Sequence, residues 1–131
     1  MARIKLLIDT DIFIDYLKGI SPAKALFRSK NVDIYCSVLT KKELLKKPGL
    51  KDSERKKIIS ILSRLKVISI DSDISLKYSL LLTKYHHSHL QPPDAIIAAT
   101  AWSKKLPLLT RNKKHFSHIQ EIRLSPVHDQ R

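Results

Sequence analysis

The stretch Ile4-Lys5-Leu6-Leu7-Ile8-Asp9-Thr10-Asp11 decides the fold, because a short apolar run breaks abruptly into an acidic turn. A run of that length bounded by polar residues reads as a buried strand that ends in a loop. Residues 12–18 then fit a short helix. The pattern recurs outward along the chain. Ile34-Tyr35-Cys36-Ser37-Val38 reads as a second strand, with Thr40 as the N-cap of the following helix and Glu43 completing a capping box; that helix runs to Pro48-Gly49. From Asp52, residues Ile58, Ile61, Leu62 and Leu65 recur at helical spacing, and Lys66-Val67-Ile68-Ser69-Ile70 switches back to a strand. After a cap at Asp71 or Asp73, residues Ile74, Tyr78, Leu81, Leu82 and Tyr85 share one helix face, which ends at the polar loop Tyr85-His86-His87-Ser88-His89. Pro92-Pro93 fixes the entry to an alanine-rich helix over 94–103. Leu106-Pro107-Leu108-Leu109-Thr110 reads as a further strand and 122–124 as a final one. Strands separated by helices predict an α/β fold, a three-layer α/β/α sandwich around a parallel sheet of four to five strands.

Composition bounds what such a fold can be. The 131 residues suit one domain, 1–131, with a polar and frayed tail over 125–131; two domains are excluded by length. With 43% hydrophobic residues, 2 Gly and 6 Pro, the chain buries enough apolar surface to fold and is not compositionally disordered. The lone Cys36 has no partner for a disulfide or a zinc knuckle, which points to a reducing compartment, the cytoplasm. No long apolar segment follows Arg3 and Lys5, and no 18-residue apolar run exists, so neither a secretion signal nor a membrane span is expected. The charge is more telling: 25 Lys+Arg against 12 Asp+Glu leave +13. A positive field of that size on a small domain steers polyanions, and nucleic acid is the leading partner class; a solubility-tuned surface or an acidic protein partner is the alternative.

In parallel α/β folds, function gathers where strands end. Asp9 and Asp11 follow the first strand, Glu43 lies near the start of the helix after the second, Asp94 opens the alanine-rich helix, and Thr110-Arg111-Asn112 follows a later strand. Nothing basic is adjacent in sequence to Asp9 or Asp94. Two carboxylates about 4 Å apart repel by roughly 4 kcal/mol at an effective dielectric near 20. A cluster of them calls for protonation or for a hard divalent cation, and oxygen-only ligands suit Mg2+ or Mn2+ better than zinc. Such an ion supports phosphodiester hydrolysis, while basic residues around it hold the strand. Singly, each acid is also an ordinary helix cap or dipole partner, and both readings stand at this point.

Four strings join these residues. Leu7-Ile8-Asp9-Thr10-Asp11-Ile12-Phe13-Ile14-Asp15-Tyr16-Leu17, Ser37-Val38-Leu39-Thr40-Lys41-Lys42-Glu43-Leu44-Leu45, Pro93-Asp94-Ala95-Ile96-Ile97-Ala98-Ala99-Thr100-Ala101 and Leu106-Pro107-Leu108-Leu109-Thr110-Arg111-Asn112-Lys113-Lys114-His115-Phe116 resemble, in order and spacing, the four blocks of PIN domains. The resemblance covers nearly the whole chain and is strongest to the VapC-type toxins of prokaryotic toxin–antitoxin pairs. It implies a metal-dependent endoribonuclease, a homodimer held inactive by a cognate antitoxin, acting on tRNA or another structured RNA. By matching position it implies that Asp9, Glu43 and Asp94 bind Mg2+ or Mn2+, with Thr110 and Asn112 flanking the metal and Asn112 counted with the catalytic set. Asp11 matches a supporting polar position, where it orients Asp9 or a water, or else caps the helix over 12–18. Asp15 is expected in solvent.

One departure matters. Many members carry a further carboxylate at the position of Asn112 or of His115, and neither is acidic here. A second metal site is thereby weakened, which leaves one-metal chemistry, or a catalytically weak RNA-binding or partner-binding module, as the alternative. His115 is expected to be partly exposed. His86, His87 and His89 read as a solvated loop rather than a metal site. Lys41, Lys42 and Lys46, with Lys47, Lys51, Arg55, Lys56 and Lys57, form one basic region; Arg111, Lys113 and Lys114, with Lys104 and Lys105, form another. Both are placed to contact an RNA backbone. Tyr78 and Trp102 fall at core or dimer positions.

Overall fold

The structure, a computed structural model, describes residues 3–126. Its strands are β1 (Ile4–Ile8), β2 (Val32–Ser37), β3 (Lys66–Ile68) and β4 (Leu108–Leu109). They form one parallel sheet in the order β3-β2-β1-β4. The helices are α1 (Thr10–Leu17), α2 (Ser21–Arg28), α3 (Val38–Leu45), α4 (Asp52–Leu62), α5 (Ser72–Lys84), α6 (Pro92–Lys104) and α7 (Lys113–Phe116). The chain steps outward from β1 to β2 and β3, then returns to the other side of β1 with β4, so the strand order reverses beside β1 while every strand stays parallel.

Why the sheet is covered on both faces follows from the period of two in a strand. Leu6 and Ile8 of β1, Ile34 and Cys36 of β2, and Leu109 of β4 join a core with Phe13, Leu26, Ile58 and Ile61 from α1, α2 and α4. Leu7 and Leu108 point the other way, into a core built by Ile74 and Leu81 of α5 and the alanines of α6. Ala95, Ala98, Ala99 and Ala101 are buried and small, and α6 packs most closely against α5. Tyr78 and Trp102 pack half-buried against this second core. Cys36 is buried, and burial pushes its thiol up to about 12, so it is chemically quiet.

Several boundaries differ from the sequence expectation. The helix over 21–28 was not foreseen. Ser37, not Thr40, caps α3: its side chain accepts from the Leu39 N–H at 3.1 Å, while Thr40 lies fully buried within the helix and Glu43 completes no capping box. Asp9, not Asp11, caps α1. Tyr85-His86-His87-Ser88-His89 is not plain loop, since His86–Ser88 form a 3-10 turn. The expected strand over 106–110 shrinks to two residues, because Pro107 has no N–H and the Leu106 N–H turns back to the Ala101 carbonyl. The expected strand over 122–124 is a single bridge from Leu124 to Leu108. Ser125, placed in the frayed tail, is buried and donates its N–H to the Leu108 carbonyl at 2.8 Å; residues 127–131 of that tail lie outside the described residues.

Candidate active site

Register places the first acid. β1 and β4 pair Leu7 with Leu108 and Ile8 with Leu109, so one step further along the ladder sets Asp9 beside Thr110. The Asp9 N–H donates to the Leu109 carbonyl at 3.0 Å, and the Thr110 hydroxyl donates to Asp9 Oδ2 at 2.9 Å. Asp9 Oδ1 accepts from the Thr10 N–H at 2.8 Å, which is its capping bond to α1. Both carboxylate oxygens are thus pinned by the backbone and a neighbouring strand, and the residue is 7% exposed.

Three further acids approach this end of the sheet. Asp11 Oδ2 accepts from the Arg111 N–H at 2.9 Å and lies 3.5 Å from the Thr110 hydroxyl, while its Oδ1 is buried without a hydrogen-bond partner among the described residues. Glu43, exposed on α3, is held through Thr10, whose hydroxyl donates to Glu43 Oε1 at 2.8 Å and shares a 3.1 Å hydrogen bond with the Thr40 hydroxyl. Asp94 sits in the first turn of α6, where the helix dipole favours a carboxylate, and its Oδ2 lies 3.0 Å from His115 Nδ1. His115 is largely exposed, as expected, yet it supplies the Asp94 partner that the sequence does not show.

The electrostatics follow from this crowding. Burial, together with the charges of Asp11 and Asp94, raises the Asp9 carboxyl from 3.8 to about 6, against the opposing bonds from Thr110 and Thr10. Asp11 is raised as well, chiefly by burial and further by Asp15, while the Arg111 N–H and guanidinium oppose the rise. Among the described residues no three His, Cys, Asp or Glu side chains already converge as a metal-ligand set, Glu43 being held by Thr10 and Asp94 by His115. Even so, the donors are all oxygen, one buried carboxylate oxygen has no partner, and Asp9 is poised to trade a proton for a cation. Asp9, Asp94 and Glu43 could hold a hard divalent ion.

The remaining predicted residues are placed as follows. Asn112 precedes α7 with an exposed side chain, and only its N–H joins the network, donating to Thr110 Oγ1 at 3.0 Å. Asp15 is a correction: expected in solvent, it is 4% exposed and pairs with Arg111, Nε to Oδ2 2.9 Å. Arg111, expected on RNA, therefore spends its guanidinium at least partly on tying the loop after β4 to α1. Lys41, Lys42, Lys46 and Lys114 are exposed and Lys113 half-buried. Sequence reasoning missed Thr10 as the tether of Glu43; its position between two aspartates was the one available signal.

Fold and site together define a class, an α/β sandwich whose strand ends gather carboxylates inside a strongly basic chain. The PIN domain model matches residues 6–122, and the chain belongs to the PIN domain family. Over 122 residues it is 32% identical to ribonuclease VapC19 of Mycobacterium tuberculosis, covering 88% of this chain and 95% of that protein. It is 29% identical over 123 residues to ribonuclease VapC1 of Methanocaldococcus jannaschii, covering 92% of this chain and 85% of the relative. A chain in a toxin–antitoxin complex from Klebsiella pneumoniae is 32% identical and superposes with a TM-score of 0.77 over 92% of this chain and 97% of that one. No helix among the described residues is long and apolar enough to cross a membrane.

Proposed function

We propose that the chain is the toxin of a toxin–antitoxin pair, an endoribonuclease that hydrolyses RNA phosphodiesters with Mg2+ or Mn2+. The observation that carries this is the burial of Asp9 beside the charges of Asp11 and Asp94, which together lift its carboxyl to about 6, within a chain of net charge +13. An acidic centre in a basic domain suits a polyanionic substrate approached through a cation, and the relatives named ribonuclease VapC and the toxin–antitoxin neighbour support that reading. An antitoxin partner, a homodimer, a cytoplasmic setting and a structured RNA such as tRNA belong to the same proposal.

Asp9, Glu43 and Asp94 would hold the ion. When bound, it supplies charge stabilisation at the scissile phosphate and a lowered pKa for the attacking water. The chain's own residues do the positioning. Thr110 and the Thr10 N–H hold the two Asp9 oxygens, Thr10 presents Glu43, and Asp11, fixed by the Arg111 N–H, keeps a buried oxygen near Asp9. His115 orients Asp94. Lys41, Lys42, Lys46, Lys113 and Lys114 hold the RNA backbone, and Asn112 offers a neutral carbonyl oxygen.

The test is incubation of the purified chain, free of antitoxin, with a mixed tRNA and messenger RNA pool in Mg2+, Mn2+ or chelator, beside Asp94→Asn. Cleavage that requires the ion and is lost in the variant is the expected result. Intact RNA under every condition, with binding retained, would establish the non-catalytic RNA-binding module instead.

A further inference from the structure

One buried carboxylate has no part in the proposed chemistry. Asp15 lies with Ile12 and Phe13 on the inner face of α1 and is 4% exposed. An acid at such a position carries a desolvation cost, and an ion pair there is often no more stabilising than two apolar side chains of similar size. Its Oδ2 accepts from Arg111 Nε at 2.9 Å, while the Arg111 side chain remains 38% exposed. Arg111 is the middle residue of a turn that belongs to neither neighbouring element, since β4 ends at Leu109 and α7 begins at Lys113. Side chains therefore fasten it. The Arg111 N–H donates to Asp11 Oδ2 at 2.9 Å, and the Asn112 N–H donates to Thr110 Oγ1 at 3.0 Å. A hydroxyl has one hydrogen, so with Asn112 on its oxygen Thr110 turns that hydrogen to Asp9 Oδ2, at 2.9 Å. The contacts close on themselves: Asp9 caps α1, α1 carries Asp15, Asp15 holds Arg111, and the residue before Arg111 returns to Asp9.

Resting on the ribonuclease reading, we propose that Asp15 is a positioning residue: by holding the Arg111 guanidinium it fixes the turn over 110–112, and so places the hydroxyl and the N–H on which Asp9 and Asp11 rest. The pair adds geometry rather than stability, which is why an acid stands where an apolar residue would pack. Arg111 is the means and Asp15 the anchor, because α1 is rigid and buried on that side while the turn has no ladder of its own. Groups that orient metal ligands from behind in this way are each worth about 10–100-fold in metal affinity or activity. The effect of Asp15 therefore falls on the acidic centre, although Asp15 itself meets neither ion nor RNA.

The experiment separates position from stability. The double variant Asp15→Leu/Arg111→Met exchanges the ion pair for apolar side chains of similar size, and urea denaturation should find it as stable as wild type or more so. Amide hydrogen exchange, followed by NMR in the metal-free chain, should still quicken about tenfold at Arg111 and Asn112 while β1 and β2 stay within about twofold. Mn2+ affinity, measured by calorimetry, should fall about tenfold or more. Arg111→Lys, which keeps a cation for Asp15, should recover most of both. Asp15→Asn, equal in size and without the charge, serves if the double variant does not fold, with an expected change of about threefold in each readout. Exchange and Mn2+ affinity unchanged in the folded variant, or exchange raised throughout the chain along with a general loss of stability, overturns the positioning role. If wild type neither binds Mn2+ nor cleaves RNA, the ribonuclease reading falls by itself, and local exchange at Arg111 and Asn112 still decides for or against the tie.

Discussion

At the scale of single residues, the proposed chemistry and its cost both fall on Asp9. Its folded-state value of about 6 lies above the ordinary 3.8, so the folded chain holds that proton more tightly than the unfolded chain does. The resulting stabilisation is complete below about pH 4 and is lost as pH rises through about 6. At neutral pH without metal, the charged carboxylate therefore burdens the fold by up to about 3 kcal/mol. Asp9→Asn keeps the shape and the Thr110 bond but removes the charge. In chelator at pH 7.5 it should be more stable than wild type by about 1–3 kcal/mol in urea denaturation, and the difference should vanish at pH 4. A variant less stable than wild type at pH 7.5 would show that the acid is a structural cap and nothing more. The acids themselves were legible, because strand ends announce them and the four blocks name them. Their partners were not: His115 lies 21 residues from Asp94 and Arg111 lies 96 from Asp15, and such pairs exist only after the sheet has closed.

At the scale of elements, the helix that carries Glu43 shows where local reading fails. Thr40 followed by Glu43 has the letters of a capping box, yet the strand β2 runs to Ser37, and the first free N–H groups of α3 therefore fall three residues earlier. Ser37→Ala should cost about 1 kcal/mol or somewhat more in chemical denaturation, given its burial, by removing the bond to the Leu39 N–H. Thr40→Ser, which retains the hydroxyl facing Thr10, should cost less; the opposite ranking would restore the sequence assignment. The helix over 21–28 escaped notice because only Ala23 and Leu26 are buried on it, too few to show a period, although Pro22 marks its first turn. Strands and long helices were read correctly wherever an apolar period spans two or more turns or alternates across a covered sheet, as in β1, α5 and α6.

At the scale of the whole molecule, the proposed function assigns the +13 charge and the acidic centre complementary tasks. If the basic regions bind RNA through its phosphates, the affinity must fall with salt, and each lost contact must reduce the slope of log K against log salt by about 0.7 for a single strand. Replacing Lys41, Lys42, Lys46, Lys113 and Lys114 by Gln should flatten that slope by roughly two to four, measured by filter binding between low and moderate salt. Arg111 is left out of this set because its pairing with Asp15 makes its loss a stability defect as well. The net charge and the gathering of acids at the strand ends were legible from composition and motif order. The tie from Asp15 through Arg111 to Asp11 was not, since no local pattern links those residues. The most direct test of the acidic centre is calorimetric titration of the metal-free chain with Mn2+ at pH 6 and pH 8. Saturable binding should release about half a proton per ion at pH 6 and almost none at pH 8, with binding abolished or severely weakened in Asp9→Asn and in Asp94→Asn. Binding of equal strength in wild type and both variants, or no binding at all, would contradict the account.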